Sequence, residues 1–498
     1  MHRDVDPRPL DSMDHFSWTV YALFLADLAI RLGLSARIIM RRLPIGVSLA
    51  WLAVVMSFPF AGAALYLLFG GTRLGWRRAH RAKQIHGPYL QWLSELRTRY
   101  PAVDWSKLRP ECQRLARLTE AAIAIPALTG NSLRLLAGAD EFFPALIADI
   151  DAAQRTCHLE FYIWNAGGKA DAVADALLRA AARGVSCRLL VDALGSHAFL
   201  RSEQAQRLRK GGVALRVALP IELLRLLFVR ADVRLHRKIV VIDGELAYTG
   251  SLNLVDPAFF KQDAGVGQWV DAMVRLEGPS VEALAITFLE DWELESGQGV
   301  EQLRRIGDVH PLSSRDSTAV QVIPSGPATR GDPVSHIILS AIYAARRELV
   351  LTTPYFVPDE ALLDALTTAA RRGVAVTLII PERIDSTSVR FASRAPQGDL
   401  LAAGVRVALF QDGLLHTKSI SVDGEFSFFG SLNLDLRSMR LNFEITLAVY
   451  DAAFTAAVRT LQDSYIKQSR WLDQDTLNAR SSLERFAENT ARLLSPLL

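Results

Sequence analysis

His236-Arg237-Lys238-Ile239-Val240-Val241-Ile242-Asp243 recurs later in the chain as His416-Thr417-Lys418-Ser419-Ile420-Ser421-Val422-Asp423. Each copy is followed by Gly-Ser-Leu-Asn, at 250–253 and 430–433. His416 lies 180 positions after His236, and the same 180 separates Lys418 from Lys238, Asp423 from Asp243 and Asn433 from Asn253. Side chains at i and i+2 share one face of a β-strand. A strand over 235–242, rich in Val and Ile, therefore points His236 and Lys238 the same way. Asp243-Gly244 and Asp423-Gly424 read as turns. The chain then returns through Leu246–Thr249 and Phe426–Phe429, which brings Ser251, Asn253, Ser431 and Asn433 beside the His-Lys faces.

Two imidazoles, two ammoniums and two amides suit a phosphoryl group, whose non-bridging oxygens want cations and N–H donors around them. One histidine attacks phosphorus as neutral imidazole while the other, protonated, supplies a proton to the leaving oxygen. We assign His236 as nucleophile and His416 as general acid and then base. Lys238, Lys418, Asn253 and Asn433 hold phosphate oxygens, with Ser251 and Ser431 assisting by hydrogen bonding. This chemistry calls for no metal and no cofactor. A single shared site is expected, because separate sites would leave each histidine without its acid or base partner.

The doubled H-x-K-x4-D motif with its G-S-x-N resembles the phospholipase D superfamily. Longer strings are similar to bacterial cardiolipin synthases: Leu159-Glu160-Phe161-Tyr162-Ile163-Trp164, the Phe260–Trp269 segment, Thr353-Pro354-Tyr355-Phe356-Val357-Pro358, Gly413–Lys418, and Asn433–Ser438 running on to Asn442-Phe443-Glu444. The resemblance implies a phosphatidyltransferase. One phosphatidylglycerol would donate its phosphatidyl group and a second would accept it, giving cardiolipin and glycerol. A phospholipase D-type hydrolase, a transferase using another alcohol, and a non-enzymatic lipid-binding scaffold are the alternatives. The resemblance also implies that Asp243 and Asp423 orient imidazoles; from the residues alone, each reads equally as a turn-capping Asp. Glu444 matches a supporting Glu of the family and reads equally as a strand-edge charge.

The rest of the chain repeats as well. Asp151–Arg155 before an apolar run parallels Tyr343–Arg347. Ala182-Arg183-Gly184-Val185 before a buried strand parallels Arg371-Arg372-Gly373-Val374, and Arg216–Leu219 parallels Arg406–Leu409. Helix, glycine, strand, repeated, means an α/β layered fold. The expectation is two repeated phospholipase D-like α/β/α sandwich halves, 86–310 and 311–498, sharing one active site. The Pro- and Ser-containing stretch 301–325 marks their boundary.

Residues 1–85 differ. Phe16–Leu34 is apolar apart from Asp27 and Arg31, which stand four apart and pair on one helix face. Val47–Phe69 is a cleaner apolar span containing Pro59. Both are long enough for roughly 30 Å of hydrocarbon, which predicts a transmembrane helical hairpin; the alternative leaves the first segment at the interface. Arg73, Arg77, Arg78, Arg81 and Lys83 follow the second span. On the positive-inside rule they outweigh Arg37, Arg41 and Arg42 between the spans and place the catalytic halves in the cytoplasm of a multi-pass protein of the bacterial inner membrane; they read equally as anionic-headgroup ligands or as ordinary juxtamembrane charge. Ile221–Arg230 has no counterpart in the second half and reads as an amphipathic element or a core helix. The C-terminal segment from Leu483 also reads amphipathic.

Composition agrees with a lipid-handling protein. Half of the 498 residues are hydrophobic and mean hydropathy is +0.16. A net charge of +3 is too small to imply nucleic acid. Cys112, Cys157 and Cys187 are odd in number and scattered, so they form neither a disulfide framework nor a metal site.

Overall fold

The hydrophobic run Val47–Phe69 does not form one helix. In the computed structural model, which describes residues 11–41, 45–70, 76–220, 233–327 and 332–493, the run breaks between helices Ile45–Ser57 and Ala61–Phe69, of 13 and 9 residues. At 1.5 Å per residue these span about 20 Å and about 13 Å, short of the roughly 30 Å of hydrocarbon. Pro59 supplies no N–H, and Phe60 after it takes a left-handed φ of 49°. The broken backbone is satisfied from the preceding helix, Asp11–Met40. Asp27 Oδ1 accepts from the Phe60 N–H at 2.9 Å, Arg31 donates to the Met56 carbonyl at 2.6 Å, and the two side chains pair at 2.6 Å. The charged pair expected on one helix face is present, and its use is to hold the kink. Among the described residues no helix is long and apolar enough to cross a membrane. The expected transmembrane hairpin is therefore overturned, and with it the multi-pass placement in the inner membrane.

The described chain divides into two compact units, one made by the N-terminal helices up to Trp76 and the other by the chain from Arg77 onward. The expected boundary at 85 falls inside helix Trp76–Arg99, which belongs to the larger unit. Tyr89, Trp92, Leu93 and Leu96 are its buried face. It is tied to helix Ser280–Ser296 by Tyr89 to Glu293 at 2.9 Å and His86 to Glu290 at 2.7 Å. Arg81, read from sequence as juxtamembrane charge, donates instead to the Glu293 carbonyl in the last turn of that helix, where a cation is favoured by the helix dipole.

Among the described residues, the larger unit is built on one fifteen-stranded mixed sheet. Its centre is the antiparallel pair Leu128–Leu136 and Thr318–Ser325, one strand from each half. Outward through the first half follow Met273–Glu277, Leu246–Gly250, Ile239–Ile242, Thr156–Phe161, Ser186–Asp192 and Ala214–Ala218. Outward through the second half follow Glu444–Tyr450, Phe426–Gly430, Ser419–Val422, Glu348–Thr352, Ala375–Pro381 and Arg406–Phe410, with Ser469–Trp471 added at the edge. The same order runs in both directions from the centre, so the two α/β halves are related by a pseudo-twofold through the central pair. At the irregularity in that pair Asn131 donates to the Leu128 and Thr318 carbonyls and accepts from the Ser280 N–H.

The repeated Gly184 and Gly373 both take a left-handed φ, 89° and 90°. Each ends a helix, Lys169–Ala182 or Glu360–Arg371, and turns the chain into a buried parallel strand, where glycine pays no Cβ penalty. Val173, Ala174, Leu177 and Ala180 of the first helix, and Leu362, Leu366 and Ala369 of the second, are buried against the sheet. The element expected at Ile221–Arg230 lies outside the described residues.

Candidate active site

The strand expected over 235–242 is shorter, Ile239–Ile242. Residues 234–238 leave the sheet because their backbone is claimed by the other half. The His236 N–H donates to the Phe443 carbonyl and the Phe443 N–H to the Arg234 carbonyl, both at 2.9 Å. The second copy does the reciprocal thing. Leu414-Leu415 pairs in parallel with Trp269-Val270, and the His416 N–H donates to the Val270 carbonyl at 2.7 Å. Each His-x-Lys segment is therefore set in place by main chain from the opposite half.

The side chains repeat that exchange. His236 Nδ1 lies 2.9 Å from Glu444 Oε2 of the second half, and His416 Nδ1 lies 2.7 Å from Asp271 Oδ1 of the first. Both imidazoles, with Asn253 and Asn433, line one cavity of about 500 Å³. Lys238 and Lys418 are buried beneath, each ammonium donating to the carbonyl of its own histidine at 2.7 and 2.5 Å. Tyr162 packs against His236 with ring centroids 5.0 Å apart, and Trp269 against His416 at 4.4 Å.

Electrostatics follow from this burial. Desolvation pushes both histidines down to about 4, against the opposing pull of Glu444 on His236 and of Asp271 on His416. Burial lowers Lys238 to about 8 and Lys418 to about 7. For both carboxyls burial acts upward, yet the facing histidine and lysine hold Asp271 and Glu444 below the usual carboxylate range. A neutral imidazole beside an ionised carboxylate donates from Nδ1, which leaves the Nε2 lone pair free as base or nucleophile.

A family model described as "Cardiolipin synthase, PLD-like domain" matches residues 146–292 and 338–465, and one described as "Phospholipase_D-nuclease N-terminal" matches 32–71. The chain is 44% identical over 466 residues to cardiolipin synthase A of Erwinia tasmaniensis, covering 94% of this chain and 96% of that one. Cardiolipin synthase A of Klebsiella pneumoniae is 44% identical over 468 residues, with the same coverage. The chain belongs to the cardiolipin synthase A family of the phospholipase D superfamily. Phosphatidylserine synthase of Haemophilus influenzae shares the fold at 16% identity, with a TM-score of 0.58 over 77% of this chain and 99% of that one.

In this member of the cardiolipin synthase family, Asp243 and Asp423 do not reach the imidazoles. Asp243 accepts from the N–H groups of Gln154, Arg155 and Thr156 at 2.7 to 2.9 Å. Asp423 does the same for Arg346, Arg347 and Glu348 at 2.7 to 3.0 Å and pairs with Arg109 at 2.6 Å. With left-handed φ values of 52° and 54°, they lock the turn of their own half onto the helix-to-strand corner beside it. Ser251 and Ser431 likewise face away from the cavity. Their hydroxyls donate to Asp271 at 2.6 Å and to Glu444 at 2.5 Å, so they fix the carboxylates that fix the histidines.

Asn253 Oδ1 accepts from the Ile163 N–H at 3.1 Å, and its Nδ2 is buried with no partner among the described residues. That amide is a donor poised for an oxygen in the cavity. In Asn433 the amide contacts Ser438 at 3.1 Å and Oδ1 is the unpartnered atom; exchanging the two amide atoms reproduces the arrangement of Asn253.

Sequence reasoning missed Asp271. It lies 18 residues after Asn253, whereas Glu444 lies 11 after Asn433, so the 180-residue offset does not connect them. The available signal was structural: each stands at or just before the strand, Met273–Glu277 or Glu444–Tyr450, that follows the motif. The far wall of the cavity was also not read. There Asp385 accepts from the Tyr355 hydroxyl at 2.8 Å and pairs with Lys261 at 3.2 Å.

Proposed function

We propose that the protein makes cardiolipin and glycerol from two phosphatidylglycerol molecules through a phosphohistidine on His236. Members of the cardiolipin synthase A family transfer a phosphatidyl group from one phospholipid to another, and the match to them covers 94% of this chain. The observation that carries the reading is the crossed pair of histidine–carboxylate bonds in one cavity. Two imidazoles so oriented present two Nε2 atoms to one phosphorus, one to attack and one to move a proton.

In the first step His236 Nε2 forms the N–P bond as the bond from phosphorus to the departing glycerol oxygen breaks, and protonated His416 delivers its proton to that oxygen. In the second step neutral His416 takes the proton of the acceptor lipid's glycerol hydroxyl while that oxygen bonds to phosphorus and His236 is released. Phosphodiester bonds are conserved in number, so no nucleotide is consumed. The ammoniums of Lys238 and Lys418 and the amide of Asn253 stabilise the charge on the non-bridging oxygens of the five-coordinate state. The binding of an anionic phosphodiester beside His416 raises its proton affinity and loads the acid. Asp385, Tyr355 and Lys261 form a polar wall suited to the hydroxyls of a glycerol headgroup.

The test is purified protein with phosphatidylglycerol vesicles and no added nucleotide. Cardiolipin and glycerol appearing in equal amounts is the expected result. Phosphatidic acid as the main lipid product would make the protein a hydrolase instead.

A further inference from the structure

A second cavity, of about 230 Å³, opens on the far side of helix Thr387–Arg394 from the catalytic one. Ser388 and Val389 of this helix line the catalytic cavity, while Arg390, Ser393 and Arg394 line the second. Arg470 and Arg480 complete a set of four guanidinium groups, facing Glu382 and Glu484.

The carboxylates are already committed. Glu382 takes Arg470 at 2.6 Å and the Gln411 amide. Glu484 accepts the Ser481 N–H and hydroxyl. Glu488, just outside the cavity, pairs with Arg480 at 3.2 Å and approaches Arg394 at 3.9 Å. That leaves Arg390 with only the face of its neighbour Phe391, 5.2 Å to the ring centroid, and no carboxylate among the described residues. Ser393 is the second, independent sign. It is 1% exposed, it lines the cavity, and its hydroxyl has no partner among the described residues. A buried unpaired hydroxyl is costly to keep unless something meets it.

We propose that this cavity is a binding site for a phosphate-bearing anion, distinct from the catalytic one. A tetrahedral phosphate accepts several forked guanidinium donors and a hydroxyl at once, and the space suits a headgroup phosphate or free inorganic phosphate. The neighbouring helix Ser482–Leu493 turns Glu488 and Ala491 inward and leaves Leu483, Phe486 and Leu493 exposed. A lipid headgroup in the cavity would have that apolar row beside it for its chains.

The test is equilibrium dialysis of the intact protein in nonionic detergent against radiolabelled inorganic phosphate. Wild type is expected to take up two equivalents, one in each cavity. Arg390→Gln is expected to lose one of them or to weaken it at least tenfold, with turnover of phosphatidylglycerol retained. Ser393→Ala should weaken the same equivalent while its melting temperature stays level or rises, because it deletes a hydroxyl that makes no bond in the empty site; a purely structural serine would give a lower melting temperature and unchanged binding. A single equivalent in wild type, or two undiminished equivalents in both variants, would overturn the proposal. Phosphatidylcholine vesicles with and without phosphatidylserine distinguish the source. Displacement of the second equivalent only by the anionic vesicles identifies a lipid headgroup, and displacement by neither identifies free phosphate.

Discussion

The two copies of the His-x-Lys segment are alike in sequence and differ in what surrounds them. Arg237, between His236 and Lys238, is buried, donates to the Glu444 and Ser325 carbonyls and pairs with Asp291. Thr417, in the same place in the second copy, shares a hydrogen bond with the Tyr465 hydroxyl at 2.9 Å. The acid behind His236 is a glutamate that opens a strand; the acid behind His416 is an aspartate one position before Ala272 and outside the strand. Similar motifs are thus mounted on different supports, and in each the carboxylate that faces the histidine comes from the other half. What repeats is the set of groups proposed to touch the phosphate. What is free to vary is the framework that orients them.

The largest expected effect tests the sharing itself. His236→Ala and His416→Ala should each reduce cardiolipin formation by about four orders of magnitude or more, since groups that act as a unit fail together. Activity within tenfold of wild type in either variant would mean that the halves do not share one site. Circular dichroism should show both variants folded.

The second test separates the roles. With a phosphatidyl donor carrying a good leaving group such as p-nitrophenol, His416→Asn and Asp271→Asn should recover release of the leaving group, because little protonation of that oxygen is needed. A phospho-enzyme should build up on the fragment that contains residue 236. Glu444→Gln should stay slow by about 10² or more, since the amide disturbs the tautomer of the attacking imidazole. Label on His416 instead would exchange the two assignments.

Proton titration gives a smaller effect. The ammoniums of Lys418, at about 7, and Lys238, at about 8, are charged below those values and neutral above them. The apparent affinity for the anionic lipid should therefore fall as pH rises through 7 to 9, read as an increase in KM on dispersed substrate of fixed charge. On the acid side, both histidines stay neutral in the folded protein down to about 4, whereas unfolded histidine takes up its proton near 6.5. The unfolded state binds more protons between these values, so the urea midpoint should decline as pH is lowered from 6.5 toward 4. A midpoint that rises over that window would contradict the burial of neutral imidazoles.

The smallest effect on activity is expected from the turn aspartates. Asp243→Ala and Asp423→Ala each strip the acceptor from three backbone N–H groups, at a cost of about 1–3 kcal/mol in unfolding free energy. The rate at a temperature where the fold persists should remain within a few-fold of wild type. A loss comparable to that of Asp271→Asn would return these residues to the imidazoles.

The doubling of local segments was readable because local rules made it so: an alternating or continuously apolar strand, an Asp-Gly turn, a glycine after a helix, each written twice with similar spacing. His236, Lys238, Asn253 and their counterparts stand out in the sequence because a phosphoryl group would want those residue types together. Asp271 was not, because its distance from the motif has no counterpart in the second half. The N-terminal helices were misread for a different reason. By length and hydropathy Val47–Phe69 is one continuous apolar run, while Pro59 and the Asp27–Arg31 pair hold it as two short helices. That choice depends on a backbone donor at Phe60 meeting a carboxylate 33 residues earlier, which no window along the chain contains.

By itself, then, the order of residues determined the two α/β halves and the expectation of both histidines in one place, since each of these rests on contacts between near neighbours or on chemistry. Only the tertiary structure decided which carboxylate faces which imidazole, that Ser251 and Ser431 brace those carboxylates, and that Asp243 and Asp423 brace turns. The physical reason is the crossing at the pseudo-twofold: the central strands pair across it, and the hydrogen bonds that set the proton on each histidine join residues 145 and 208 positions apart.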